Sequence, residues 1–220
     1  MWRTIRAVFL GLLVSMVTIF GAGCATSGPL QVKGGLERPA ARGPGVGAAG
    51  RAVAVADFAY AGLPGGEIGR DFDRARPITW SGSPGKAIPD LIAVVLFEKG
   101  VPVIRVADQA AAPPDAAARI WGRVDAIRVD AKRTGTFKID DAAHVAVTVY
   151  GEGGAAPPGW STAVASDYWS SDALFVTETG VLDALDGAAN AVVDEVVARL
   201  VSAGIIPPPA AGGVGDRGGR

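Results

Sequence analysis

Apolar residues recur at helical spacing in two segments of the chain. In Ala87–Lys99 they fall at i, i+3, i+4, i+7 and i+8, the positions of Ile88, Leu91, Ile92, Val95 and Leu96. Leu182–Val201 keeps the same spacing over a longer stretch, and most of its charged residues lie off the apolar stripe. Each pattern predicts an amphipathic helix that packs one face against a core. Gly100 and Gly204 follow the two segments, where a left-handed residue commonly ends a helix.

Apolar and polar residues alternate in further segments, which is the pattern of strands. The predicted strands are Ala52–Tyr60, Val101–Ala107, Arg119–Ala131, Ala142–Tyr150 and Trp160–Trp169. Within the third, the alternation slips at Ala126–Ile127, where a β-bulge would restore it. The order β-α-β-β-β-β-α predicts an α+β domain, with a mixed or antiparallel sheet of about five strands and two helices packed on one face.

The segments between and around these elements lack a hydrophobic period. Ala61–Gly85 is rich in Gly and charge and is interpreted as a long functional or mobile loop. The composition divides the chain into a signal segment (1–23), a flexible Gly/Pro/Ala tether (24–51), the domain (52–203) and a disordered Pro/Gly tail (204–220). Within the tether, residues 45–50 match G-x-G-x-x-G by letter, but they follow a linker rather than a strand, so we interpret the match as chance.

The first 24 residues have the layout of a secretory signal. Arg3 and Arg6 precede Ala7–Phe20, an apolar run of 14 residues, and the small residues Gly21-Ala22-Gly23 lead directly to Cys24. The run is shorter than the roughly 20 residues that a membrane-spanning helix needs. An uncleaved anchor helix, or an ordinary signal in which Cys24 is incidental, is the alternative. Cys24 is the only cysteine of the chain, so we expect a lipid on its sulfur rather than a disulfide.

Charge and composition exclude some functions. The formal charge of the chain is −1, and it becomes more negative when Arg3 and Arg6 leave with the signal, so we expect no nucleic-acid partner. The single histidine, His144, has no second histidine beside it for a metal site. No Walker A, G-x-S-x-G or H-E-x-x-H motif is present. We therefore expect no catalytic residues, no metal and no cofactor, and Asp57, at a strand end, is the first carboxylate to test.

Four aromatic residues stand on two of the predicted strands: Trp121, Trp160, Tyr168 and Trp169. Core packing and sheet cover are the ordinary explanation of such a set. The alternative is an exposed aromatic ledge that binds a protein partner or an envelope glycan. We take these four residues as the candidate partner-binding site.

Two resemblances to known families sharpen this picture. The ending Ala22-Gly23-Cys24 resembles the bacterial lipobox, with Gly21 where Leu is usual. That resemblance implies a diacylglyceryl group on the Cys24 sulfur and an acyl chain on its amine. Ala25 follows instead of Asp, which by the same resemblance implies the outer membrane, periplasmic face, rather than the inner membrane.

The segments VAVADF, EKG before VPVIRVAD, and IWGRVDAIRV resemble a group of envelope lipoproteins with a TolB-N-terminal-like, YajG-type or transport-auxiliary domain, over about Arg51–Ala203. The resemblance implies a non-catalytic accessory part of an envelope transport or assembly system, which binds another envelope component. Two alternatives remain open. One is a hydrolase of envelope polymers that uses Asp57 under an Ala61–Gly85 lid, and the other is a lipid- or glycan-binding module.

Overall fold

The computed structural model describes residues 28–38, 51–62, 65–172 and 174–206. The strands are β1 (Leu30–Val32), β2 (Val53–Ala56), β3 (Ala59–Tyr60), β4 (Glu67–Asp71), β5 (Arg76–Trp80), β6 (Val103–Val106), β7 (Ala118–Gly135), β8 (Lys138–Gly153) and β9 (Ser161–Asp172). The helices are α1 (Pro84–Glu98) and α2 (Glu178–Ser202), and Gln109–Ala111 forms a short 3₁₀ turn. The α+β class is confirmed.

The long strand β7 is the centre of the sheet. Along one side, β7 pairs antiparallel with β8 over nearly its whole length, and β8 pairs antiparallel with β9. Along the other side, β7 pairs in parallel with β2, β3 and β4 in turn. Beyond these, β6 joins β2, while β5 and then β1 extend the sheet from β4. The predicted bulge is confirmed, because the β7–β8 register shifts between Val124 and Ala126.

Both helices cover the same side of the sheet, called here the inner face. Val145, Val147 and Val149 of β8 point to this side and are buried, as do residues of β7 such as Ile120 and Val129. They form one apolar cluster with the stripes of both helices, such as Ile92 of α1 and Val193 of α2. The opposite side of β7, β8 and β9, called here the outer face, carries no helix within the described residues.

The sheet is larger than the five strands predicted from the sequence. It has nine strands among the described residues, and the predicted loop Ala61–Gly85 contains the antiparallel pair β4–β5. Ile78 and Trp80 of β5 are buried, and β4 pairs with β7, so this segment is part of the domain. The segment Ala61–Gly85 therefore does not form the lid over Asp57 that the hydrolase alternative requires.

The domain also begins earlier and ends later than expected. Residues 28–38, predicted as tether, add β1 to the sheet and bury Val32. Ile205 and Ile206, predicted as tail, are buried in the core. Cys24, the remainder of the signal, residues 39–50 and residues 207–220 lie outside the described residues. Among the helices of the described part of the chain, none has the length and apolar character needed to span a bilayer.

Candidate interaction surface

The four aromatic residues expected to form one ledge separate in the structure. Trp121 and Trp169 lie on the outer face, since they alternate with inward residues of β7 and β9. Trp160 is partly buried and packs against the core at Gly151 and Ile205. Tyr168 points to the inner side, with its ring directly over Gly187 of α2. Only Trp121 and Trp169 therefore remain together on one surface.

The outer face is a broad surface with aromatic rings towards both ends. At one end, Trp121 stacks on Tyr150, with 5.9 Å between the ring centroids and 17° between the planes. At the other end, Trp169 lies opposite Ala142 and keeps 65% of its surface exposed. A row of alanines crosses the strands between the two ends, formed by Ala126, Ala146 and Ala165.

Several charged side chains on this face are paired with each other. Arg123 Nε lies 2.5 Å from Asp125 Oδ1, whose second oxygen accepts from Thr148 Oγ1 at 2.6 Å. Arg128 Nη2 lies 2.6 Å from Asp130 Oδ2. Exposed pairs of this kind contribute little to stability, with a typical value of about 0–1 kcal/mol. Their effect is to leave the face close to neutral, with donors and acceptors already fixed in position.

His144 is part of the same surface. Its Nδ1 lies 2.8 Å from Asp167 Oδ1, across the β8–β9 pair. His144, Asp167 and Trp169 line a depression of about 350 Å³ together with Arg128 and Asp130. Among the described residues, no group of three or more His, Cys, Asp or Glu side chains is arranged to hold a metal ion.

The strand β9 gives this surface an open edge. Within the described part of the chain, β9 pairs only with β8, so its other side presents backbone groups. Arg199 Nη1 donates to Ala163 O at 3.0 Å, which shows that Ala163 directs its carbonyl to that side. Because backbone groups alternate along an antiparallel strand, Ala165, Asp167 and Trp169 direct theirs the same way. Such an edge can accept a strand from a partner.

Asp57, the carboxylate singled out from the sequence, is bound to an arginine. Its Oδ1 lies 2.6 Å from Arg105 Nη2, and Arg105 also contacts Asp90 at 2.7 Å and the carbonyl oxygen of Val55. The arrangement fixes the end of β2 against β6 and α1. The Asp57 carboxylate therefore has a structural contact, an ion pair with Arg105.

A larger groove than the depression at His144 lies elsewhere, between α2 and β9. It has a volume of about 730 Å³ and is lined mainly by polar residues, among them Asp183, Asp186 and Asn190. Asp186 Oδ1 accepts from Glu37 N at 2.9 Å, and Asn190 Nδ2 donates to Glu37 O at 2.9 Å. Burial raises the pKa of Asp186, and the hydrogen bond from Glu37 N opposes that rise. These groups hold residues 37 and 38 on α2, so the groove is not the apolar channel that a lipid would require.

Sequence analysis did not identify Tyr150 and the alanine row as parts of the outer face. Both could have been found from strand parity, since Tyr150 alternates with the inward valines of β8 and must therefore face outwards. The open edge of β9 could not have been predicted from the sequence, because the sequence of a strand does not determine which strands pair with it.

No protein-family model matches the sequence, and no curated protein matches it. Several solved structures are similar in part. The DUF330-family protein XCC0632 from Xanthomonas campestris is 13% identical, with a TM-score of 0.47 over 79% of this chain and 95% of that one. A PelC dodecamer from Paraburkholderia phytofirmans is 19% identical, with a TM-score of 0.36 over 72% and 92% of the two chains. A minor lipoprotein from Acinetobacter baumannii is 11% identical, with a TM-score of 0.37 over 69% and 90%. At these scores the similarities assign neither family nor function.

Proposed function

We propose that this protein is a lipid-anchored accessory lipoprotein of the bacterial envelope, which faces the periplasm from the outer membrane and binds another envelope protein of a transport or assembly system. Cys24 carries the lipid, and the outer face of β7, β8 and β9 carries the partner. The protein acts by binding and needs no cofactor.

The anchoring part of the proposal depends on the amino-terminal pattern. A positive start, a 14-residue apolar run and small residues end at the only cysteine of the chain.

The binding part depends on one observation, the uncovered outer face with Trp169 at 65% exposure. A tryptophan ring of roughly 250 Å² then leaves about 160 Å² in water, and covering it with a partner would contribute up to about 4 kcal/mol at 25 cal/mol per Å². Large aromatic residues beside small ones and an open strand edge are typical of a binding surface. Hydrolysis at Asp57 is not favoured, because Arg105 holds that carboxylate.

Site-specific photo-crosslinking in living cells tests the binding surface. A photoreactive phenylalanine analogue replaces Trp169 in one strain and Phe97 in a control strain. Phe97 is 62% exposed, which matches Trp169, but it lies on α1, on the helical side of the sheet. We expect a discrete crosslinked protein from position 169 and none from position 97.

The two positions make the outcome decisive. A partner crosslinked only from position 97, or no adduct from position 169 in cells that contain the complete envelope system, would contradict the proposed surface. An adduct of the protein with itself would identify a second copy, rather than another envelope protein, as the occupant of the outer face.

A further inference from the structure

Four large apolar side chains are exposed at one end of the sheet. They are Phe72 (52% exposed), Phe137 (71%), Leu174 (47%) and Phe175 (56%), and we call them the apolar pole. Phe72 follows β4, Phe137 is in the β7–β8 turn, and Leu174 and Phe175 lie between β9 and α2. With about 200 Å² per ring, the three phenylalanines together expose about 350 Å².

Polar contacts hold the three connections together. Arg133 binds both carboxylate oxygens of Asp73, at 2.7 and 2.9 Å, and donates to Leu174 O at 3.0 Å. Arg74 places its guanidinium 5.4 Å from the centre of the Phe175 ring. The exposed rings therefore lie on segments that contact each other through polar groups. The rings themselves are not part of the buried core.

The amino-terminal part of the chain reaches the domain at this same end. β1 runs parallel to β5, with Leu30 opposite Ile78, so Gly28 is level with the start of β5 beside the β4–β5 turn. Lys33 N donates to the Glu178 carboxylate at the start of α2, next to the segment that carries Phe175. Gly28, the first described residue of this segment, therefore lies beside the apolar pole.

The distance to the anchor fits this geometry. Cys24 is four residues before Gly28 and can lie at most about 14 Å from it. Beyond the level of Ala131, β7 continues for four residues, about 13 Å, before the turn with Phe137. A lipid on Cys24 and the Phe137 ring can therefore reach the same depth in a bilayer.

We propose that the apolar pole inserts into the interface of the bilayer that holds the Cys24 lipid, and that it fixes the orientation of the domain. This inference rests on the lipidation of Cys24 in the proposed function. Phenylalanine rings are well suited to the boundary between headgroups and acyl chains, and the guanidinium of Arg74, which lies over the Phe175 ring, is a cation that lipid phosphates attract. β7, β8 and β9 then stand with their β7–β8 turn on the membrane, and the outer face is directed sideways to a partner.

Fluorescence at single introduced cysteines tests the orientation. The lipid occupies Cys24, the only native cysteine, so F137C and a control, F97C, can each be labelled with an environment-sensitive dye. Phe97 is at the carboxyl end of α1, near the start of β6. The start of β6 is level with the start of β7, and β7 begins at the end of the sheet opposite the apolar pole. The lipidated full chain is reconstituted in vesicles of phosphatidylethanolamine and phosphatidylglycerol that contain nitroxide-labelled lipid.

We expect the nitroxide lipid to quench the dye at position 137 about threefold or more above position 97, with a blue-shifted emission at 137 only. Equal quenching at both positions, in protein that floats with the vesicles, would overturn the orientation and leave the anchoring intact. Protein that does not float with the vesicles would instead contradict the lipidation itself. A blue shift at 137 that grows with protein density and resists quenching would show that a second copy covers the pole, and would also overturn the proposal.

Discussion

The β4–β5 turn depends on one buried carboxylate, and its replacement is the sharpest test of the fold near the apolar pole. Asp71 ends β4 and has no exposed surface. Its Oδ1 accepts from Asp73 N and Arg74 N, both at 3.1 Å, and its Oδ2 accepts from Arg76 Nε at 2.8 Å. The turn also holds Ala75 at φ +50°, a left-handed position that is costly for alanine. The Asp71 carboxylate therefore has two roles: it accepts the hydrogen bonds that close the turn, and it neutralises the charge of Arg76.

The substitution Asp71→Asn keeps an oxygen for the two turn amides and removes the charge opposite Arg76. The Arg76 side chain is only 11% exposed, so its guanidinium would remain nearly buried without its partner. Removing one member of a buried pair costs about 3–5 kcal/mol. For a domain of this size that loss corresponds to a fall in Tm of roughly 6–20 °C.

Thermal and urea unfolding of the unlipidated chain from Ala25 would measure this loss. Asp125→Asn is the matched control, because Asp125 pairs with Arg123 on the exposed outer face and should cost under about 1 kcal/mol. The double variant D71N/R76Q should be more stable than D71N alone, since it removes the unpaired charge. A D71N protein within about 0.5 kcal/mol of the parent would refute the reasoning.

Two further substitutions test the contact of the segment after β1 with α2 and the pairing of β4 with β7. The substitution Asp186→Asn keeps a side-chain oxygen that accepts from Glu37 N, but it removes the ionisable carboxyl group. Because burial raises the folded-state pKa of Asp186, its contribution to stability is complete below the unfolded pKa of about 3.9 and is lost as pH rises through the folded value. The variant should gain under about 1 kcal/mol near pH 7 and nothing at low pH, so equal effects in urea unfolding at the two pH values would contradict this explanation. In Gly69→Ala a Cβ would lie 1.6 Å from the carbonyl oxygen of Val129, which should separate β4 from β7 and lower Tm by about 5 °C or more. Gly35→Ala, which meets nothing within 4 Å, is its control, and a similar Tm for both would count against the β4–β7 pairing.

The regular elements could be predicted because their patterns are long. α1 and α2 have several turns of apolar spacing, and β8 alternates over most of its length. The β4–β5 pair could not be recognised in the same way, since Asp71 occupies an inward, buried position where the pattern requires an apolar residue. Only Ile78 and Trp80 of β5 alternate as a strand should, and two residues do not distinguish a strand from a loop.

The limits of the domain were obscured by composition. β1 is three residues long and lies among Gly and Pro, so its pairing with β5 depends on tertiary contacts that its own sequence does not encode. Ile205 and Ile206 follow the stop at Gly204, which has φ +69° as expected for a helix end. They are buried because the chain turns back onto the core after that glycine.

The aromatic site could have been predicted better from the sequence alone. Tyr168 and Trp169 are neighbours on one strand, and neighbours on a strand point to opposite faces. They could not belong to one ledge, and the structure places Tyr168 over Gly187 and Trp169 on the outer face. The apolar pole was beyond sequence analysis, because its rings come from three connections that meet only in the folded sheet.

The intact mass of the mature protein, purified from membranes, tests the lipid-anchored account most directly. We predict a chain that starts at Cys24, with the mass of a diacylglyceryl group and one acyl chain added to that residue. A chain that starts at another residue, or an unmodified Cys24, would contradict the anchoring and with it the orientation proposed for the apolar pole.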